Sequence, residues 1–148
     1  MRTVVLVSCV KKKLNQSAKA KDLYQSTLFR AQRTFAEKFG DDWYILSAKH
    51  GLLDPESVIE PYEQTLKSVG ASRRLEWSFN VYAQLQAQTD PDDTIIITAG
   101  ENYCRDLVPL LAQRGHKIER PAKGLSMGYI PGRLYALVAQ ASAKAMTN

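Results

Sequence analysis

Three apolar runs punctuate the chain, and each passes abruptly into small or polar side chains. Val4 to Val7 is wholly apolar and rich in β-branched residues, as a strand covered on both faces should be. It runs into Ser8-Cys9-Val10-Lys11-Lys12-Lys13. Trp43 to Leu46 has the same character and stops at Ser47-Ala48-Lys49-His50-Gly51. Thr94 to Thr98 stops at Ala99-Gly100-Glu101-Asn102-Tyr103. A shorter, outer strand is expected from His116 to Arg120, before the glycine-bearing loop Pro121 to Gly128.

Between these runs the apolar spacing lengthens to three and four residues, the period of a half-buried helix. A first helix is predicted from about Leu23 or Thr27 to Phe39. Leu28, Ala31, Phe35 and Phe39 share its face, Asp22 or Ser26 caps it, and Gly40 closes it. A second starts at a Ser72 cap and runs from Arg73 to about Gln88. Its inward stripe is Leu75, Phe79, Tyr82 and Leu85, with Trp77 and Val81 beside it. Arg73 and Arg74 oppose the helix dipole there, so they are either solvated charge or phosphate contacts. A third helix runs to Arg114 with Tyr103, Leu107, Leu110 and Leu111 inward, and Pro109 predicts a kink or break in it. Pro131 opens a last helix faced by Leu134, Leu137, Val138, Ala141 and Ala145. Leu52 to Val69 carries Asp54-Pro55 and Glu60-Pro61 and reads as a loop or broken helix. Its length suits a lid or binding loop.

Strands alternating with helices predict an α/β fold: one domain over residues 1–148, three layers, with a mostly parallel four-stranded sheet between helices. Ligands of such sheets bind beyond the carboxyl ends of the strands. The polar strand ends should meet there. That gathers Ser8, Cys9, Lys11 and Lys13 from the first; Ser47, Lys49, His50 and Gly51 from the second; and Gly100, Glu101 and Tyr103 from the third. Gly124 and Gly128 would close one side, and Tyr62 with Glu63 could cover the top.

Charge adds a partner class. Lys plus Arg number 20 against 15 acids, a net charge of +5, which favours an anionic partner such as DNA or a nucleotide. Cys9 and Cys104 make no disulfide framework, no signal-peptide core follows Met1, and no apolar run spans a bilayer. A cytoplasmic protein with reduced thiols and no membrane partner is expected.

Five stretches together carry a resemblance: Ser8-Cys9-x-Lys11-x-Lys13, Ser47-Ala48-Lys49-His50-Gly51-Leu52-Leu53, Pro61-Tyr62-Glu63, Ala99-Gly100-x-x-Tyr103 and Gly124-Leu125-x-x-Gly128. They resemble an uncharacterised family of small bacterial and phage proteins. More distantly, the layout is similar to the uracil-DNA-glycosylase-like α/β/α fold and to the additional domains of archaeal tRNA-guanine transglycosylases. The Gly-Gln-Asp-Pro-Tyr and His-Pro-Ser-Pro motifs of uracil glycosylases are missing, which speaks against uracil as the base.

Two functions follow as expectations. One is an enzyme cleaving or exchanging a nucleobase N-glycosidic bond, as in DNA modification or repair. Glu63 or Glu101 would activate water or steady the sugar cation, and His50 would hydrogen-bond the departing base. Lys11 and Lys49 would hold phosphates, and Tyr62 or Tyr103 would stack on the base. The other is a module that binds nucleotide or nucleic-acid phosphate without chemistry. Neither requires a cofactor. A zinc site from Cys9, His50, Cys104 and His116 fits poorly, because the close ligand pairs of such sites are missing. Cys9 is either a nucleophile beside Lys11 and His50 or an inert buried thiol.

Overall fold

The computed structural model describes residues 1–147, excepting the side chains of Ser68 and Thr147. Its centre is β1 (Thr3–Ser8), paired in parallel with β3 (Asp42–Ser47) on one side and β6 (Thr94–Ile97) on the other. Val4 to Val7 are completely buried, as the unbroken apolar run demands.

The sheet has five strands where the sequence pattern indicated four. Gly51–Leu53 forms β4, antiparallel to β3, and β7 (Ile118–Glu119) extends the other edge in parallel. The order is β4-β3-β1-β6-β7. The extra strand arises because the chain reverses over Ala48 to His50 and returns along β3. Gly51 makes that reversal with φ +70°, and a Cβ there would lie 2.5 Å from Gln84 Oε1. The segment after β4 is likewise less open than its prolines suggest. Val58–Ile59 (β5) pairs antiparallel with Ala18–Lys19 (β2), and Leu66–Ser68 makes a 3-10 turn.

Helices cover both faces. A short α1 (Ala20–Leu23) precedes α2 (Thr27–Phe39), whose Ser26 cap accepts a hydrogen bond from the Phe29 amide. Gly40 follows α2 with φ −89°, outside the left-handed region. Crowding explains the glycine instead, since a Cβ would meet Asp42 O at 2.7 Å and Ala36 O at 2.9 Å. Against α2 on the same face lies α6 (Ile130–Thr147); on the opposite face α3 (Ala71–Gln88) packs with α5 (Leu107–Arg114).

Two helix assignments change. α3 begins after Gly70, so Ser72 lies inside the helix and does not cap it. Its buried side chains are Trp77, Ser78, Val81 and Leu85, while Leu75 and Phe79 are 43% and 50% exposed. Trp77 sets the rotation: its Nε1 donates to Ser47 O at 2.8 Å, so the stripe continuing through Val81 and Leu85 faces the sheet. The third helix is broken into α4 (Glu101–Cys104) and α5. Pro109 explains the break four residues before it, where its ring would clash with the Arg105 carbonyl. Among the described residues no helix is long and apolar enough to cross a membrane.

Candidate functional site

From β1 the chain passes to β3 on one side, and after β4 and α3 it comes back to β6 on the other side of β1, so a crevice opens beyond the carboxyl ends of β1 and β6. A cleft of about 520 Å³ occupies that place. Ser8, Cys9 and Lys11 line it from β1; Thr98, Gly100, Glu101, Asn102 and Tyr103 line it from β6 and α4. Gln64 and Lys67 close it from the middle segment, and Leu125, Met127 and Ile130 form an apolar wall.

Its floor is fixed by Gln32, a completely buried amide on α2. Gln32 Oε1 accepts from the Ser8 amide at 2.9 Å and from Thr98 Oγ1 at 2.6 Å, and Nε2 donates to Ser8 Oγ at 3.0 Å. The amide thus joins the ends of two parallel strands where the main-chain ladder stops. Cys9 Sγ and Tyr103 OH are hydrogen-bonded at 3.2 Å across the same mouth. Burial pushes the Tyr103 phenol well above its ordinary range, and the nearby Cys9 adds to the shift, so Tyr103 is a neutral hydrogen-bonding group.

A second cluster stands at the β3–β4 corner. Ser47 Oγ accepts the amides of Lys49 at 3.3 Å and His50 at 3.0 Å, which ties the turn to the strand end. The same oxygen is bonded to Tyr62 OH at 2.8 Å, and Tyr62 OH is bonded to Tyr24 OH at 2.5 Å. Burial raises Tyr24 to about 12 and pushes Tyr62 up as well. Above this chain, Lys13 Nζ lies 4.4 Å and Lys49 Nζ 5.8 Å from the Tyr62 ring centroid. The His50 ring meets Tyr62 edge-on at 5.4 Å, and its Nε2 is buried without a hydrogen-bond partner. Burial, then the Lys49 charge, lowers the His50 pKa below its ordinary value.

The expected residues therefore fall into two groups instead of one. Ser8, Cys9, Lys11, Gly100, Glu101 and Tyr103 share the cleft. Lys13, Ser47, Lys49, His50, Gly51 and Tyr62 belong to the corner, and none of them is among the cleft's lining residues. His50 is not among the cleft's lining residues, and the turn that carries it adjoins the cleft through Gln64, whose Nε2 donates to Ala48 O at 3.2 Å. Glu63 is exposed and outside the cleft wall, though its charge acts on Lys13. Tyr62 is buried, so it supports the corner through its hydroxyl and does not offer a free stacking face. Gly124 and Gly128 are exposed, and their neighbours Leu125 and Met127 form the wall in their place.

Glu101 pairs with Arg120 at 2.7 Å, joining α4 to the segment after β7. Cys104 is a structural thiol: burial raises its pKa to about 11, and its Sγ donates to Ala99 O. His116 bonds through Nδ1 to Asp93 O and through Nε2 to Arg114, at the amino end of the sheet. Among the described residues Cys9, His50, Cys104 and His116 supply no group of three that could hold a metal; the carboxylates Asp90, Asp92 and Asp93 do approach one another. Asp93 there already accepts the amides of Arg2 and Asp90.

Residues missed from the sequence include Gln32, Gln64, Lys67, Thr98 and Asn102. Gln32 left a signal, because it occupies the apolar face of α2 between Ala31 and Phe35. A polar residue on such a face needs a buried partner.

The profile of a family of unknown function, DUF6884, matches residues 4–131. The chain is also similar to the uncharacterized protein YfjM of Bacillus subtilis (strain 168), at 35% identity over 65 residues. That match covers 40% of this chain and 43% of YfjM, so the chain spans less than half of the curated relative. No solved structure matches the chain. With 128 of 148 positions inside the family profile, the chain belongs to the DUF6884 family.

Proposed function

We propose that this protein binds a nucleotide, free or within a strand, with its base in the cleft between β1 and β6, and that it cleaves or exchanges the N-glycosidic bond. The observation that carries the reading is Glu101: it is the one carboxylate among the cleft's lining residues, and Lys11 and Lys67 line the same opening. Glycosidic cleavage builds positive charge on the sugar and negative charge on the base. A carboxylate steadies the first and orients water; hydrogen-bond donors steady the second. His50 stands at the corner, so the donors for the base are Asn102 and the Ser8 hydroxyl, since Thr98 spends its proton on Gln32. Leu125 and Met127 give the base an apolar face. The similarity to the uracil-DNA-glycosylase-like layout supports the same class at the level of fold alone.

One observation favours the non-catalytic alternative. Glu101 already holds Arg120 at 2.7 Å, so one of its oxygens is engaged before any water or sugar arrives. Incubation with oligonucleotides carrying normal, deaminated, oxidised and hypermodified bases, followed by mass spectrometry for released base, decides between them. Release that falls at least about a hundredfold in Glu101→Gln is expected, the usual scale of general acid–base catalysis. Binding without release, weakened by Lys11→Ala with Lys67→Ala, leaves the binding module.

A further inference from the structure

The β3–β4 corner holds an arrangement that the cleft does not use. Two ammonium groups, Lys13 Nζ and Lys49 Nζ, approach one tyrosine ring, at 4.4 and 5.8 Å from the Tyr62 centroid. The ring itself cannot move away, because its hydroxyl is held between Ser47 and Tyr24. Both charges thus stand beside one fixed ring. Elsewhere the chain relieves such charge with acids: Lys19 and Lys21 pair with Glu56, and Lys117 with Glu119. Among the described residues neither Lys13 nor Lys49 has an ion pair; Glu63, which is exposed, acts on Lys13 only from beyond ion-pair distance. The third group at the ring is His50, whose Nε2 is buried and unpartnered. Lys13 is half-buried and loses hydration there, which favours a compensating anion. Lys13 Nζ spends one donor on Lys11 O at 3.2 Å, and an ammonium has three.

We propose that Lys13 and Lys49, standing over Tyr62, form a subsite for a terminal phosphate monoester. The inference rests on the nucleotide reading of the neighbouring cleft and sharpens its substrate class. A monoester is close to a dianion at neutral pH, since its second pKa is about 6, and it matches two ammonium groups. An internal phosphodiester carries a single charge and leaves one cation uncompensated. The ligand is then a nucleotide with a terminal phosphate, or a strand that presents its phosphorylated end, and not the interior of a strand.

Amide NMR titration with inorganic phosphate, and separately with dimethyl phosphate, tests the subsite without any base. Saturable shifts at Lys13 and across Ser47 to Gly51 are expected with phosphate. Dimethyl phosphate should bind about tenfold more weakly, the loss of one charge-assisted contact. The double variant Lys13→Gln, Lys49→Gln should abolish the response while its other amides stay in place. Adding a dinucleotide with and without a 5′-phosphate then separates the sources: preference for the phosphorylated dinucleotide assigns a strand end, and equal weakness beside a tighter mononucleotide assigns the free nucleotide. Equal response to both anions, no response to phosphate, or shifts that survive the double variant overturn the proposal. Failure of base release leaves this titration unaffected, so the two readings fail separately.

Discussion

The mouth of β1 and β6 and the corner of β3 and β4 are built from the same kinds of residue, yet they solve opposite problems. At the mouth, polar groups are drawn down to the floor by Gln32, which leaves walls that stand apart around about 520 Å³. At the corner, hydroxyls bond to one another in a line from Tyr24 through Tyr62 to Ser47, and the turn amides end on the same serine. The mouth is an opening with its hydrogen bonds buried beneath it. The corner is a closed network with its charges displayed above it. The lesson is that tyrosine, serine and lysine at a strand end do not by themselves denote a cavity; the connection that follows decides. After β6 the chain enters α4 and moves off, whereas after β3 it reverses through Gly51 and fills the space.

The largest effect should come from Gln32→Leu. Leucine keeps much of the volume but takes the partner from the buried Ser8 amide and leaves Thr98 Oγ1 only its long contact to Leu6 O at 3.5 Å. Unfolding in urea should show a loss of about 3 kcal/mol with an unchanged slope, since two buried polar groups lose their partner. A loss no larger than that of a surface substitution would mean that the strand ends close without the amide, and the contrast between floor and corner would disappear.

Tyr62→Phe removes the middle hydroxyl of the corner and should cost less. Ser47 Oγ keeps its two turn amides, while Tyr24 OH loses its 2.5 Å partner and is left with the Ser47 hydroxyl alone. A loss of about 1–2 kcal/mol is expected from one buried hydrogen-bonding group. Ligand affinity at the cleft should change little, because Tyr62 is not in its wall. A variant that loses cleft binding in full while folding normally would show the two regions to be one site.

These distinctions explain what was readable beforehand. The layers were legible because strands such as Val4 to Val7 admit no polar face and α2 alternates cleanly. Ser8, Cys9, Glu101 and Tyr103 were legible as neighbours because parallel strands must end together. The position of His50 was not, since a three-residue reversal and a three-residue strand carry too little periodicity to separate from a loop. The inward face of α3 was misread for a related reason. Leu75 and Phe79 are as apolar as Val81, and what turns the helix is one indole hydrogen bond to Ser47 O, a tertiary contact with no local signature.

The smallest effect, and the one that sharpens the comparison most, is the titration of His50. Burial, then the Lys49 charge, holds its folded pKa below the ordinary 6.5. Between the lowered value and 6.5 the unfolded chain binds more protons than the folded one, so stability rises with pH across that window. The contribution is complete above 6.5 and is lost as pH falls through the folded value. His50→Gln should flatten this part of the stability profile. Imidazole NMR resolves the group directly, because the chain has two histidines and His116 lies at the opposite end of the sheet. Inorganic phosphate bound over Tyr62 would offset the field of Lys49 and raise the His50 pKa. A nucleoside, which has no phosphate, would occupy the cleft and leave it where it was. If the nucleoside moves His50 as far as phosphate does, the mouth and the corner are electrostatically continuous, and the base and the phosphate are not read by separate regions.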